Sequence, residues 1–491
     1  MIEHFDVLVV GAGLSGIGAG VHLLNSCKGK TFAVLEAREA IGGTWDLFRY
    51  PGIRSDSDMY TLGYPFKPWL DAKAIADGPA ILDYIRETAV EYGVDKRIRY
   101  SQRLVKAAWD SLGGCWTVTV EKGGAREIIN YTCNFLFMCV GYYDYAQGYL
   151  PEFSGVANFG GTLVHPQFWP DHLDYRGKQV VVIGSGATAM TLVPQMAKDA
   201  GLVTMLQRSP TFVVSRPAKD KIADWLREHL PMKLAYAMVR WKNVLQSIYY
   251  YRLARKYPVQ VKAGLVKLVS DALGPNYDVT THFTPRYNPW DQRICLVPDS
   301  DLFEAIKSGK ADVVTDTIDH FVEDGIQLSS GAKLPADIVV TATGLKMQLM
   351  SGITVEVDGQ KIDFSKSFSY KGMMYSNVPN LASSFGYTNA SWTLKCDLTC
   401  GYVCRLVNYM AAHGMDECRP VADLETLEES PFLDFTSGYV QRARDEMPKQ
   451  GAAAPWKVYQ NYVMDLIALK FGKVDDGTMK FSKRRMLQAA E

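Results

Sequence analysis

Phe5-Asp6-Val7-Leu8-Val9-Val10-Gly11-Ala12-Gly13-Leu14-Ser15-Gly16 decides the fold: an apolar strand runs into a turn with glycine at its first, third and sixth positions. Glycine permits the tight turn and lets the amides that open the next helix approach a pyrophosphate. A second strand, Thr31 to Leu35, ends at Glu36, a carboxylate suited to the ribose hydroxyls of FAD or NAD. About 173 residues further on the design recurs, with Gln179 to Ile183 leading into Gly184-Ser185-Gly186-Ala187-Thr188-Ala189. Ala189 takes the third glycine's place, where only packing of helix on strand is at stake. Here the following strand, Val203 to Leu206, ends in Gln207-Arg208-Ser209, a cationic arrangement that suits the 2′-phosphate of NADPH. One such turn is weak evidence, but two with matching strands and ribose ends imply an α/β chain with two Rossmann-like dinucleotide-binding domains.

Between these landmarks the 491 residues divide into five stretches. Residues 1–145 read as the first part of an FAD-binding domain, with a helix near Ile75 to Tyr92 and an apolar strand from Phe135 to Val140. Residues 146–217 begin an NADP-binding domain. Residues 218–282 interrupt it with a strand-poor helical insertion, and 283–341 complete it, the strand rhythm resuming at Ala311 to Val314 and at Asp337 to Thr341. Ala342-Thr343-Gly344 returns the chain to the first domain, which 342–491 complete.

Lysine plus arginine equals aspartate plus glutamate at 53 each, so no global charge points to nucleic acid as a partner. The first residues lack the features of a secretory signal, and no apolar run approaches a bilayer-spanning length, so a cytoplasmic location is expected. Nine cysteines without regular spacing do not form a disulfide framework. Cys396, Cys400 and Cys404 share one helix face, and with no histidine or further cysteine nearby they read as a core stripe rather than metal ligands. Residues 231–267 hold eight lysines or arginines and no acid, interleaved with tyrosine and tryptophan. Such a helix could lie on a membrane surface, but packing over the nucleotide domain is favoured, because core-facing helices are the commoner kind.

A flavin and a nicotinamide held in one chain imply hydride transfer between them. No cysteine lies between Cys27 and Cys115, so the dithiol relay of a disulfide reductase is not supported, and dioxygen becomes the acceptor. Two longer motifs sharpen this. Phe159-Gly-Gly-Thr-Leu-Val-His165-Pro-Gln-Phe-Trp169-Pro170 and Gly42-Gly43-Thr44-Trp45-Asp46, continuing through Tyr50-Pro51-Gly52 to Asp56, carry fixed spacings. On these motifs the chain resembles the Baeyer–Villiger branch of the flavin-dependent monooxygenases.

That resemblance implies an FAD- and NADPH-dependent enzyme that inserts one oxygen atom of O2 beside a ketone carbonyl through a peroxide at flavin C4a, giving an ester or lactone. S-oxygenation of a sulfide or thioamide is the near alternative, and an NADPH oxidase or sensor without a dedicated substrate the distant one. A small apolar ketone or sulfide is the implied substrate. Carried over residue by residue, the resemblance makes Arg293 the cation beside the flavin and Asp56 the carboxylate that orients it. It sets Gly11, Gly13, Ser15, Gly16, Glu36, Thr44, Trp45, Asp46 and Leu104 around FAD. It sets Arg54, Ser55, Gly184, Ser185, Gly186, Ala187, Thr188, Ala189, Gln207 and Arg208 around NADPH, with His165 as a hinge residue. Trp392 opens a helix whose end could face the flavin, with a plain core role as the alternative. Several ketone monooxygenases of the family have lysine just before the catalytic arginine; Gln292 stands there instead, which leaves Arg208 as the main support for a 2′-phosphate.

Overall fold

The computed structural model describes residues 2–423 and 426–484. The helices that frame the two nucleotide units are α1 Leu14–Ser26, α2 Gly78–Tyr92, α3 Ala187–Met196, α4 Lys221–His229, α5 Met232–Lys256, α6 Pro258–Leu273, α7 Asp301–Lys307 and α8 Trp392–His413. None of the described helices is long and apolar enough to cross a membrane.

Two sheets carry the two glycine turns. In the larger, Glu3–Val10 pairs in parallel with Phe32–Leu35 on one side and with Glu127–Met138 on the other. An antiparallel set of Gln102–Asp110, Cys115–Lys122 and Glu127–Met138 extends it, and Thr354–Val357 and Leu381–Ser383 join from the C-terminal part of the chain. The strand expected at Phe135 to Val140 thus begins much earlier, at Glu127. Its first half alternates polar and apolar residues and finds its partners across the antiparallel meander. The second sheet is parallel, in the order Ala311–Thr315, Leu202–Gln207, Gln179–Ile183, Ile338–Thr341, Thr162–Val164.

Each glycine turn sits against the strand that closes its unit. A Cβ on Gly11, at φ +102°, would lie 2.5 Å from the Cys139 carbonyl oxygen; one on Gly184, at φ +132°, would lie 2.3 Å from that of Ala342. Only glycine adopts that backbone and fits that gap. Helix α2 starts at Gly78 rather than near Ile75 because the Asp77 carboxylate caps it, accepting from the Ala80 amide at 3.0 Å. Helix α8 packs along α1, with Cys396, Cys400 and Cys404 buried between apolar neighbours and the Ser15 hydroxyl donating to the Cys396 sulfur at 3.3 Å.

The insertion is helical, as expected, and divides its loyalty. Ala235, Tyr236 and Val239 of α5 join the core of the first unit, while Val269 of α6 joins the core of the second. Arg240, 6% exposed, donates to the carbonyls of Tyr60 and Gly63 at 2.8 Å each, so its charge is spent on holding α5 down.

Candidate functional site

A cleft of about 550 Å³ opens between the two sheets. Its floor is the first glycine turn, with Gly11, Gly13 and Ser15 lining it at the N-terminus of α1. The α1 amides and their positive dipole end face this space, as an anionic pyrophosphate requires. The cradle is tight: a Cβ on Gly16 would stand 1.8 Å from the Gly11 carbonyl oxygen, so Gly16 shapes the turn without lining the cleft.

Glu36 lies at one end, 6% exposed, where its strand stops. The Ala12 and Arg38 amides donate to its two carboxylate oxygens at 2.8 and 2.9 Å. Burial pushes its acidity weaker than that of an ordinary glutamate, and these two amides pull part of the way back. Each oxygen keeps a lone pair for a ribose hydroxyl. Leu104 lines the wall nearby, as do Thr44 and Trp45 from the loop after the second strand. Asp46 does not line the cleft. Its buried carboxylate turns to Arg38, 2.8 Å away, so it acts on the loop from behind.

At the other end the loop through Tyr50 crosses to the second unit. Gly52 packs on Gln195 and Thr191 of α3, and Arg54 pairs with Asp301 of α7 at 2.5 Å while also reaching the Met190 carbonyl at 3.3 Å. Ser55 and Asp56 follow along the cleft wall. Arg293 enters from the opposite side, its Nε 2.9 Å and its Nη2 3.2 Å from the two Asp56 oxygens. Asp56 holds the guanidinium still more firmly protonated than usual. The pair is half-buried, 36% and 30% exposed, and a reactant can reach the guanidinium edge.

The second glycine turn borders this space less closely. Ala187 lines it; Gly184, Ser185, Gly186 and Thr188 do not, and Ala189 is fully buried in helix packing. The Ser185 hydroxyl donates to the Ser209 carbonyl at 3.1 Å, which ties the turn to the next strand end. At that strand end the structure separates two neighbours. Gln207 is 2% exposed and turns inward, its amide donating to the His282 carbonyl and the Thr315 hydroxyl, so it offers nothing to a nucleotide as placed. Arg208 is exposed and makes no ion pair with a described residue. His165 lies outside the cleft, packed against Gly148 and accepting from the Gln167 amide at Nδ1. Burial makes its ring harder to protonate than a free histidine.

Several lining residues carry no motif of their own. Tyr142, Tyr143 and Tyr145 leave the end of the long strand at the middle of the cleft, and Tyr142 stacks on Trp392 with ring centres 4.8 Å apart. The Thr44 hydroxyl bonds to that of Tyr143, and burial pushes Tyr145 up to about 12, so this rim stays neutral. The run Gly141-Tyr-Tyr-Asp-Tyr145 straight after an apolar strand was the available signal. Asp301 left none.

Comparison with known proteins accords with this architecture. Residues 62–272 match a flavin-binding monooxygenase-like family model, and residues 9–72 an NAD(P)-binding Rossmann-like domain. The chain is 53% identical over 489 residues to the FAD-containing monooxygenase EthA of Mycobacterium tuberculosis, covering 99% of each. It is 49% identical to the probable FAD-binding monooxygenase AlmA of Acinetobacter baylyi, covering 99% of this chain and 97% of that one. Among solved structures, an oxidised steroid monooxygenase bound to NADP superposes with TM-score 0.77 at 22% identity, covering 98% of this chain and all of the other. An ε-caprolactone-bound cyclohexanone monooxygenase gives 0.76 at 18%, with the same coverage. A relative this similar along its whole length, together with the family model matched over residues 62–272, places the chain in the flavin-binding monooxygenase family.

Proposed function

We propose that the protein binds FAD and NADPH and inserts one oxygen atom of O2 beside the carbonyl of an apolar ketone, giving an ester or lactone. The balance is ketone, O2, NADPH and a proton in, and ester, NADP+ and water out. The observation that carries this reading is the Arg293–Asp56 pair held in the same cleft as the first glycine turn and Glu36.

The residues fit the groups. The first turn and α1 would take the FAD pyrophosphate and Glu36 its ribose, with Thr44, Trp45 and Leu104 along the molecule. Arg208 and the turn at Gly184 to Thr188 would take NADPH, with Arg54 and Ser55 towards the nicotinamide. The bound flavin supplies hydride acceptance and activation of O2. The chain supplies charge and dryness. Negative charge builds on the substrate oxygen as its carbonyl is attacked, and Arg293, held by an ion-pair contact and a hydrogen bond to Asp56, is a donor that needs no reorientation when that charge appears. The tyrosine rim and Trp392 exclude water from the same place.

The test is product analysis under 18O2 with NADPH, FAD, a long-chain aliphatic methyl ketone and an aryl methyl thioether. One labelled oxygen in an ester supports the reading. Sulfoxide without ester assigns the enzyme to S-oxygenation, and NADPH oxidised to NADP+ with O2 reduced to hydrogen peroxide, at one rate with or without substrate, refutes both.

A further inference from the structure

Helix α5 has two apolar stripes. The first, with Ala235, Tyr236, Val239 and Val244, is buried. The second, Leu234, Met238, Trp241, Leu245 and Tyr249, repeats every three or four residues and so runs down one side of the helix. All five are exposed, from 40% at Trp241 to 61% at Tyr249. Single apolar side chains in water are ordinary, whereas a stripe of five marks a contact surface. The patch continues on both flanks. Ile222 and Trp225 of α4 are 55% and 57% exposed. On the other side the Trp241 ring lies 5.7 Å from that of Tyr462, and the adjoining segment exposes Met464, Ile467 and Phe471.

The unpaired charges of α5 and of the segment around Tyr462 are of one sign. Lys233, Arg252 and Lys256 of α5 and Lys470 of the flanking segment are exposed, and α5 contains no carboxylate. Its other cations are engaged elsewhere: Arg240 with backbone, Lys242 with Asp220, Arg255 with Asp291. On α4, Asp224 is neutralised by Arg227, which leaves Glu228 as that helix's uncompensated acid.

We propose that this face docks on an anionic lipid surface, lying in the headgroup layer without crossing it. Tryptophan and tyrosine favour that layer, and exposed lysine and arginine beside them meet lipid phosphates. Because the opposite stripe is already packed, docking requires no folding step. A small cavity lies one step around the helix, between Val244, Ile248 and Tyr251 and the segment around Asn389, and it shares Ala390 with the main cleft. An apolar substrate dissolved in the lipid thereby meets the enzyme beside its reaction chamber; this last point rests on the oxygenase reading, while docking does not.

Sedimentation of the full chain with phosphatidylcholine vesicles, alone or with about a third phosphatidylglycerol, tests docking without any turnover. The bound fraction should be at least about tenfold higher on the anionic vesicles at low salt and should fall as salt is added. A Leu245→Ser/Tyr249→Ser variant should lose it while keeping the parent's melting temperature. Should that variant fold poorly, Lys233→Glu/Arg252→Glu, which alters only exposed side chains, should abolish the anionic preference. Absence of binding to anionic vesicles at low salt, or binding that a folded variant leaves intact, overturns the proposal. Light scattering covers the remaining occupant: a dimer that ignores vesicles and dissociates on Leu245→Ser/Tyr249→Ser makes the face a self-association interface and likewise overturns it.

Discussion

Arg293 and Asp56 are one half of a crossed clamp. Asp56 takes the guanidinium of Arg293 at 2.9 Å, and two residues earlier Arg54 is taken by Asp301 at 2.5 Å, eight residues beyond Arg293. The first unit's loop thus offers a cation and then an anion, and the second unit answers with the same two signs. Asp299 and Ser300, directly before Asp301, both have positive φ, at 50° and 60°. That backbone is unfavourable for non-glycine residues and is kept here where it turns Asp301 towards Arg54.

Arg293→Ala should leave FAD content unchanged and lower the rate of product formation by about 10² to 10³, the usual loss on removing one preorganised donor. Arg293→Lys keeps the charge but not the two-point grip and should recover little. Product formation followed beside flavin absorbance measures both, and a variant at near parental rate would remove Arg293 from the mechanism.

Asp301→Asn should loosen the whole clamp rather than its own helix alone. Amide exchange in residues 50–57 and 291–296 of the cofactor-free protein should speed up by about tenfold, equivalent to about 1.4 kcal/mol of local stability. Adding Arg54→Gln should do no further damage, because the two residues act as one. Exchange altered only around 299–304 would confine Asp301 to capping α7.

Glu36 gives FAD retention a pH dependence of known sign. Its affinity for protons is raised by burial, so the folded cofactor-free protein takes up this proton at higher pH than the unfolded chain does. Taken alone, that stabilises the cofactor-free fold towards acid, and the contribution is lost as pH rises through the raised value. Ribose binding needs the carboxylate and runs the other way. FAD should therefore dissociate on acidification with a midpoint above 4.5, the ordinary value, and Glu36→Gln should bind more weakly by about tenfold with that midpoint gone. Fluorescence of released flavin across pH 7 to 4 provides the measurement.

His165 contributes with the opposite sign. Its ring is harder to protonate folded than unfolded, so below its ordinary value of 6.5 the unfolded state binds more protons and stability is lost as pH falls. Thermal melts of the cofactor-free protein between pH 7.5 and 5.5 should show this slope reduced in His165→Gln.

Arg208→Ala should raise the Michaelis constant for NADPH by about tenfold or more, the worth of a charge-assisted bond, and change that for NADH little. Equal effects would detach Arg208 from the 2′-phosphate. Gln207 cannot compensate, since its amide is committed to His282 and Thr315.

What was legible in the sequence depended on local causes. Gly11, Gly184 and Glu36 sit where a strand must end, and strand, turn and helix signals all fall within a few residues of them. Arg293 stood out through the family resemblance, which carries the catalytic arginine onto that position. The inward turn of Gln207 was not legible, because it is set by Thr315 and by His282 of the insertion, 75 residues away. Nor was Asp301, whose partner lies 247 residues back along the chain. For α5 the sequence showed basic residues interleaved with tyrosine and tryptophan, but which side of the helix would be covered is decided by Tyr60, Gly63 and their neighbours, not by the helix itself.

The split of the insertion between two cores puts a mechanical role on one junction. Helix α5 is bolted to the first unit through Arg240, and α6 contributes Val269 to the second; between them stands only Tyr257, where the backbone leaves the helical path at φ −129° and ψ 60°. Within the insertion, a swing of the nicotinamide-side body against the flavin-side body is taken up at this one-residue elbow, so stiffening it would slow the swing while leaving both nucleotide cradles intact.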